Sequence, residues 1–266
     1  MQLDEALITK VILEDFTEDF VEHIKTDVVI VGAGPTGVTA ARYLAKTGIR
    51  VVVFERNLYV GGGMWGGGIL FPKIVVQEEA KLLLEEVGVK LKKKDGRLYT
   101  ADSVETVLKG TAAALEAGAK IWVGMNVEDV VVRDLDTKPR ISGVVINWNA
   151  VEKAGLHVDP IAVKSKIVVD ATGHDANVVR VAVKKLPEVK LPTSTGSVIG
   201  EKPMWAEVGE KNVVENTCEV LPGLFVAGMA ASAVFGSPRM GPIFGGMFMS
   251  GKKVAELISQ SLKKEG

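Results

Sequence analysis

Four short apolar runs punctuate the chain: Val28-Val29-Ile30-Val31, Val51-Val52-Val53-Phe54, Ile167-Val168-Val169 and Leu224-Phe225-Val226. Runs of this kind, with no polar interruption, predict strands buried on both faces, as in a parallel sheet. Helical spacing follows two of them. Val38 to Lys46 mixes small apolar residues with Arg42 and Lys46 towards its end, and a second helical pattern runs from Gly173 to about Lys185. Residues 77–87 and 102–117 also predict amphipathic helices, the second with Asp102 or Ser103 as N-cap and Gly118 as its stop. Residues 120–124, 127–133 and 141–148 are β-rich, and 244–262 predict a closing helix with a basic tail. Residues 187–216 are rich in Pro, Gly, Thr and Ser without a clear period, which predicts a long loop over the sheet. At the start, residues 3–25 carry an apolar stripe at helical spacing. That helix lies outside the pattern of strands and is expected to cover a neighbouring surface or another subunit. The fold expected is one α/β unit over residues 1–266, with an inserted antiparallel layer and an N-terminal helical extension.

The first run leads straight into Gly32-Ala33-Gly34-Pro35-Thr36-Gly37, then the helix, then the second run ending at Glu55. Strand, glycine turn, helix, strand and acid in this order form the arrangement that holds a dinucleotide. Gly32 permits the turn, Gly34 lets backbone approach a pyrophosphate, and Gly37 lets helix and strand pack closely. Helix-start N–H groups face the phosphates, and Glu55 can accept from a ribose diol. Directly after Glu55-Arg56 comes Gly61-Gly62-Gly63-Met64-Trp65-Gly66-Gly67-Gly68, read as backbone passing close to a ligand. Val127 to Asp129 lies where a strand edge could meet the adenine end.

Charge and composition narrow the classes. A formal net charge of −1 gives no field favouring nucleic acid or an anionic membrane. The single cysteine, Cys218, rules out an internal disulfide framework and fits a reducing cytoplasm. The acidic opening does not read as a secretory signal. The uncharged stretch 220–238 approaches the length of a membrane span, but Pro222, Gly223, Gly228, Gly236 and Pro238 break it, so a soluble protein is expected.

There are three histidines. His23 falls in the leading helix and reads as structural. His157 and Asp159 stand two apart, so in an extended segment both project from one face. His174 follows Gly173 at the carboxyl end of a buried strand, where ligands bind in open α/β sheets. A histidine with a carboxylate suits iron or zinc; a surface turn at Asp159 and a capping His174-Asp175 pair fit the spacing equally well. Arg239, in Gly236-Ser237-Pro238-Arg239-Met240-Gly241-Pro242, is held between backbone-restricting residues and suits a bidentate grip on a carboxylate. Cys218 is expected to pack rather than react. No hydrolase triad and no phosphate loop ending in Lys-Ser or Lys-Thr is present.

Taken together, these motifs resemble the thiamine thiazole synthases, the Thi4 family, in their archaeal form. The matching stretches are 32–37, Glu55-Arg56, 61–68, His157-Val158-Asp159-Pro160, Thr172-Gly173-His174-Asp175, 222–229 and 238–242, in order along nearly the whole chain. The resemblance implies a three-layer fold of the glutathione-reductase-like, FAD/NAD-binding Rossmann type. It implies NAD as a consumed substrate. Nicotinamide leaves, ADP-ribose becomes a ketose, glycine condenses with it, sulfur enters, and ring closure with dehydration gives an ADP-thiazole carboxylate. Carried over by position, Gly32, Gly34, Thr36, Gly37, Glu55, Arg56, Gly63, Val127, His157, Val158, Asp159 and Met229 are expected at the dinucleotide. Asp159 and His174 are expected to hold Fe(II), and Arg239 to clamp the glycine carboxylate. The family places the aspartate in a neighbouring subunit's site, implying a homo-octamer. One position departs from the eukaryotic pattern. Where those members carry a sulfur-donating cysteine, this chain has His157, which has no sulfur to give. Free sulfide as donor and repeated turnover follow, with His157 placed to move protons. A flavin-dependent oxidoreductase would use Gly32 to Glu55 equally well, and would be yellow.

Overall fold

The computed structural model describes residues 3–134 and 138–265. In chain order the elements are α1 (Glu5–His23), β1 (Lys25–Val31), α2 (Pro35–Ala45), β2 (Val51–Glu55), β3 (Lys73–Gln77), α3 (Lys81–Glu85), β4 (Lys92–Lys93), β5 (Leu98–Asp102) and α4 (Ser103–Glu116). They continue with β6 (Lys120–Val123), β7 (Met125–Arg133), β8 (Arg140–Trp148), α5 (Asn149–Lys153), β9 (Ile161–Asp170), α6 (Asn177–Lys185) and α7 (Ala206–Glu215). Last come β10 (Cys218–Leu221), β11 (Leu224–Val226), α8 (Met229–Phe235) and α9 (Gly245–Glu265).

The four apolar runs are neighbours in one sheet, ordered β10-β11-β9-β1-β2-β6. All pairings in it are parallel except β10 with β11. Because successive side chains point to opposite faces, each run feeds two cores. Val28, Ile30, Val51, Val53, Ile167 and Val169 pack under α2, α4 and α9. Val29, Val31, Val52, Phe54 and Val168 face the other way, onto β7, β8 and α6. That second layer is antiparallel, β7 with β8 and β8 with β9. Strand β9 joins the layers: Ile161 to Lys164 pairs with β8, and Lys164 to Asp170 pairs with β1. Helices, parallel sheet and antiparallel sheet make the three layers that the sequence predicts.

Two predictions fail. Residues 77–87 are not one helix: Gln77 ends β3, a 3-10 turn covers Glu78–Ala80, and only Lys81–Glu85 is α-helical. The segment opens a second antiparallel sheet, β3-β5-β4. Alternation of buried Ile74 and Val76 with more exposed neighbours is its signature. The other failure is 187–216, where α7 occupies the last third. Its buried face is Gly209, Glu210 and Val213, so a glycine and a carboxylate stand where an apolar stripe would mark a helix. Met240 would meet any Cβ at Gly209, and Glu210 accepts from the Gly246 N–H at 2.6 Å and from Gln77 Nε2 at 2.7 Å.

The extension α1 buries none of its residues fully. It holds to the sheet by aromatic contacts, Phe20 with Trp122 at 5.1 Å and Phe16 with Trp148 at 6.2 Å between ring centroids. Ile8, Val11, Ile12, Leu13 and Val21 remain exposed. The broken stretch 220–238 forms β11 and α8 in the core, and among the described residues no helix is long and apolar enough to cross a membrane.

Asp170 fixes the carboxyl end of β9. It is fully buried, and its carboxylate accepts from Thr172 N–H (3.0 Å), Thr172 Oγ1 (2.6 Å) and Val179 N–H (2.9 Å). Burial pushes this carboxyl above its usual range, against the pull of the Thr172 and Val179 donors. The native chain therefore keeps the proton to higher pH than the unfolded chain. This contribution to stability is full at low pH and is lost as pH rises through the elevated value. Asp170→Asn leaves one oxygen for three donors and turns an amide N–H₂ towards another N–H. We expect it to cost about 1–3 kcal/mol in denaturant unfolding at neutral pH. It should also remove the part of the stability loss on raising pH that Asp170 causes.

Candidate active site

The carboxyl ends of β1, β2 and β9 open into a cavity of about 1080 Å³. This is the crevice where open α/β sheets bind ligands, and it lies at the top of the ~300–1,000 Å³ usual for small-molecule sites. Its floor is the turn between β1 and α2. Gly32 has φ +101°, and a Cβ there would stand 2.5 Å from the Ala171 carbonyl oxygen, so the turn seats directly on the end of β9. A Cβ at Gly37 would overlap the Gly32 carbonyl oxygen, which brings the first turn of α2 down onto the strand. Gly34 differs, since nothing lies within 4 Å of where its Cβ would be. The space it leaves belongs to the cavity. Pro35 begins α2, where its missing N–H is not needed. Thr36 Oγ1 donates to the Met247 carbonyl at 3.0 Å, so backbone N–H groups at this helix start are the donors left for an anion.

Glu55 ends β2, buried at the cavity wall. One oxygen accepts from the Ala33 N–H at 2.9 Å, and the other from Asn57 N–H at 2.8 Å and Asn57 Nδ2 at 2.9 Å. The same carboxylate thus pins the glycine turn, and the oxygen facing Ala33 keeps acceptor capacity for a diol. Arg56 pairs with Asp175 at 3.4 Å. Gly63 and Met125 to Val127 also line the cavity.

A second set of groups stands in the same void. His174, in the short turn Gly173–Asp175 after β9, lines it, as do Arg239 and Met229. His174 Nδ1 lies 2.7 and 2.9 Å from the two carboxylate oxygens of Glu201, and Arg239 Nε lies 3.9 Å from one of them. Glu201 is the residue that sequence reasoning missed. It sits in a polar stretch with no period, and its place is set by backbone bonds: Gly200 N–H to Ala233, Lys202 N–H to Ser237, and Arg239 N–H to Lys202.

The structure thus gathers Gly32, Gly34, Thr36, Glu55, Arg56, Gly63, Val127, Met229, His174 and Arg239 around one cavity. Gly37 supports it from beneath. His157, Val158 and Asp159 do not line it. They lie exposed in the loop 154–160 between α5 and β9, where Asn147 Nδ2 donates to the Val158 carbonyl at 3.0 Å. Among the described residues, no group of three or more His, Cys, Asp or Glu could hold a metal ion. Cys218 lies apart from the cavity, and burial pushes its thiol up, which disfavours the reactive thiolate.

Known proteins share this sequence pattern and fold. The model of the Thi4 family matches residues 9–244. The thiamine thiazole synthase of Methanothermobacter thermautotrophicus is 50% identical over 264 residues, covering 99% of this chain and 100% of that protein. The crystal structure of Thermovibrio ammonificans THI4 superposes with a TM-score of 0.96 at 50% identity, over 98% of this chain and 100% of that one. A geranylgeranyl bacteriochlorophyll reductase-like protein from Thermoplasma acidophilum shares the fold alone, with a TM-score of 0.54 at 15% identity over 91% of this chain and 79% of that one.

Two of the three glycines of the turn separate by experiment. Gly34→Val meets open space, so its melting temperature should match the parent's while NAD binding by calorimetry weakens at least about tenfold, or ~1.4 kcal/mol. Gly37→Ala should lower the melting temperature instead.

Proposed function

The chain belongs to the Thi4 family, so its activity is thiamine thiazole synthesis, and we propose that it makes the ADP-thiazole carboxylate from NAD, glycine and free sulfide with Fe(II). A single observation carries this reading: the glycine turn with Glu55, and the His174–Arg239 pair, face one continuous cavity. A molecule whose pyrophosphate lies on the turn can therefore present its far ribose to the second pair. The turn's N–H groups bind the pyrophosphate, Glu55 accepts from the adenosine ribose, and Val127 flanks the adenine. Arg239 takes the glycine carboxylate through the N–H donors not facing Glu201. Once nicotinamide has left and the ribose has become a ketose, the bound glycine amine condenses with it; sulfide then enters and water is lost.

Iron is supported by the chemistry of the donors. His174 keeps Nε2 available because Nδ1 is engaged by Glu201, and imidazole with carboxylate suits Fe(II). Asp159 would be the second protein ligand, delivered from a neighbouring subunit. When bound, the metal supplies a Lewis acid with open positions for substrate atoms. His157 comes in beside Asp159 and can carry a proton, but it has no sulfur to donate, which supports sulfide as the donor and repeated turnover.

An assembly with shared sites, a homo-octamer, is supported by exposed apolar residues on the two regions it must join. Ile69, Leu70, Phe71, Met204 and Trp205 are exposed at the cavity rim, and Trp148, Leu156, Val158 and Ile161 beside the loop 154–160. Ile69 and Leu70 also hold φ values of +46° and +68°, strain that a packed partner can sustain.

Anaerobic incubation with NAD, glycine, Fe(II) and sulfide, followed by mass spectrometry, is expected to give more than one adenylated thiazole per chain. Asp159→Asn and His174→Asn should each abolish it. Mixed oligomers of the two inactive variants should regain activity, since some sites then take His174 from an Asp159→Asn copy and Asp159 from a His174→Asn copy. Nicotinamide release without thiazole would remove the sulfide claim, and failure of the mixed oligomers would remove the shared site. A yellow protein that does not consume NAD would return the flavoprotein.

A further inference from the structure

Glu201 answers to no expectation from the sequence, yet it hydrogen-bonds His174 and stands within ion-pair distance of Arg239, two residues that line the cavity. Its side chain is only 14% exposed, against 52% for His174 and 55% for Arg239. A carboxylate can only accept, so the proton between it and His174 belongs to Nδ1. In the neutral ring this leaves Nε2 bare, the form in which imidazole binds a metal. The second neighbour is Arg239, whose Nε side faces the same carboxylate. The position is rigid. Residues 199–202 are stitched to Ala233 and Val234 on one side and to Ser237 on the other, and Gly236 approaches Ile199 so closely that a Cβ would stand 2.6 Å from Cγ2.

We infer that Glu201 is the positioning residue of this site, setting the tautomer of His174 and the heading of Arg239 with one carboxylate. It acts through those two side chains and does not touch substrate. One negative charge serves both side chains. It orders the imidazole that faces the metal, and it holds the guanidinium by Nε so that the remaining N–H donors point to a carboxylate. The inference deepens the proposed function and rests on it for the identity of the metal and the amino acid, but the tautomer stands independently.

The test begins with metal-free protein labelled with ¹⁵N at histidine only. The chain has three histidines, so magic-angle-spinning spectra show three imidazoles, assigned by single substitutions. In the parent, His174 should carry its proton on Nδ1; in Glu201→Ala it should move to Nε2 or be shared. The Fe(II) dissociation constant, measured anaerobically by calorimetry, should rise about 10–100-fold, and KM for glycine should rise more than kcat falls. Glu201→Gln keeps an acceptor for Nδ1 without the charge. It should restore the tautomer and most of the Fe(II) affinity while KM for glycine stays raised.

An unchanged His174 tautomer in Glu201→Ala overturns the proposal, as does Fe(II) binding equal to the parent's once the tautomer has moved. Should Glu201→Ala fail to fold, Glu201→Gln decides: parental KM for glycine overturns the proposal and a raised one supports it. If the parent binds no Fe(II), the metal reading fails, and the tautomer alone passes judgement on Glu201.

Discussion

Everything at this site depends on how closely three backbones meet at the end of β1. The turn at Gly32 sits on the Ala171 carbonyl, and α2 sits on the Gly32 carbonyl, with no space for a side chain at either contact. The pairing of β1 with β9 from Lys25↔Lys164 to Val31↔Asp170 sets that approach, and the Asp170 carboxylate then ties down Thr172 and the start of α6. His174 lies a few residues further along the same chain. Its distance from the glycine turn is therefore fixed by sheet register and one buried carboxylate. A dinucleotide site and a reactive group become parts of one rigid frame without help from a loop.

How much of this could be read from the sequence differs sharply between elements. The turn, α2, β2 and Glu55 were legible because their chemistry is local: each residue's role follows from its neighbours in the chain. The parallel strands were legible too, since short apolar runs bounded by turn residues suit strands buried on both faces, while the three-layer arrangement came from the family resemblance. The β3-β5-β4 sheet was not, because strands as short as Lys92–Lys93 leave almost no pattern and Ile74 and Val76 are too few to establish a period. Nor was α7, whose packed face carries a glycine and a hydrogen-bonded glutamate beside a single buried valine, Val213. Glu201 is the sharpest case. Its burial and both of its partners arise from contacts with residues 233–239, and no local signal encodes them. His157 and Asp159 are the reverse: they stand out in the sequence, and the fold of one chain leaves them outside its own cavity.

The site therefore divides into what one chain builds and what it presents. Glycine turn, Glu55, His174, Glu201 and Arg239 are set by the frame and its hydrogen bonds. The loop 154–160 and the rim at Ile69 to Phe71 are exposed, and nothing within the described chain buries them. Residues of the first kind are held within one cooperative core. Under the shared-site proposal, those of the second kind would answer to protein concentration.

The pairing of β1 with β9 also governs when the cavity can come into being. These strands lie at opposite ends of more than half the chain, and a contact so distant in sequence forms slowly, because loop closure must precede any gain from packing. Until β9 arrives, the glycine turn has no Ala171 to rest on and β8 has no strand to join it to the parallel sheet. A chain still emerging from the ribosome holds the complete glycine motif for most of its synthesis with nothing to bind by it. The cavity thus belongs to the last stage of folding, and any ligand that occupies it stabilises the finished frame rather than guiding the first half of the chain into place.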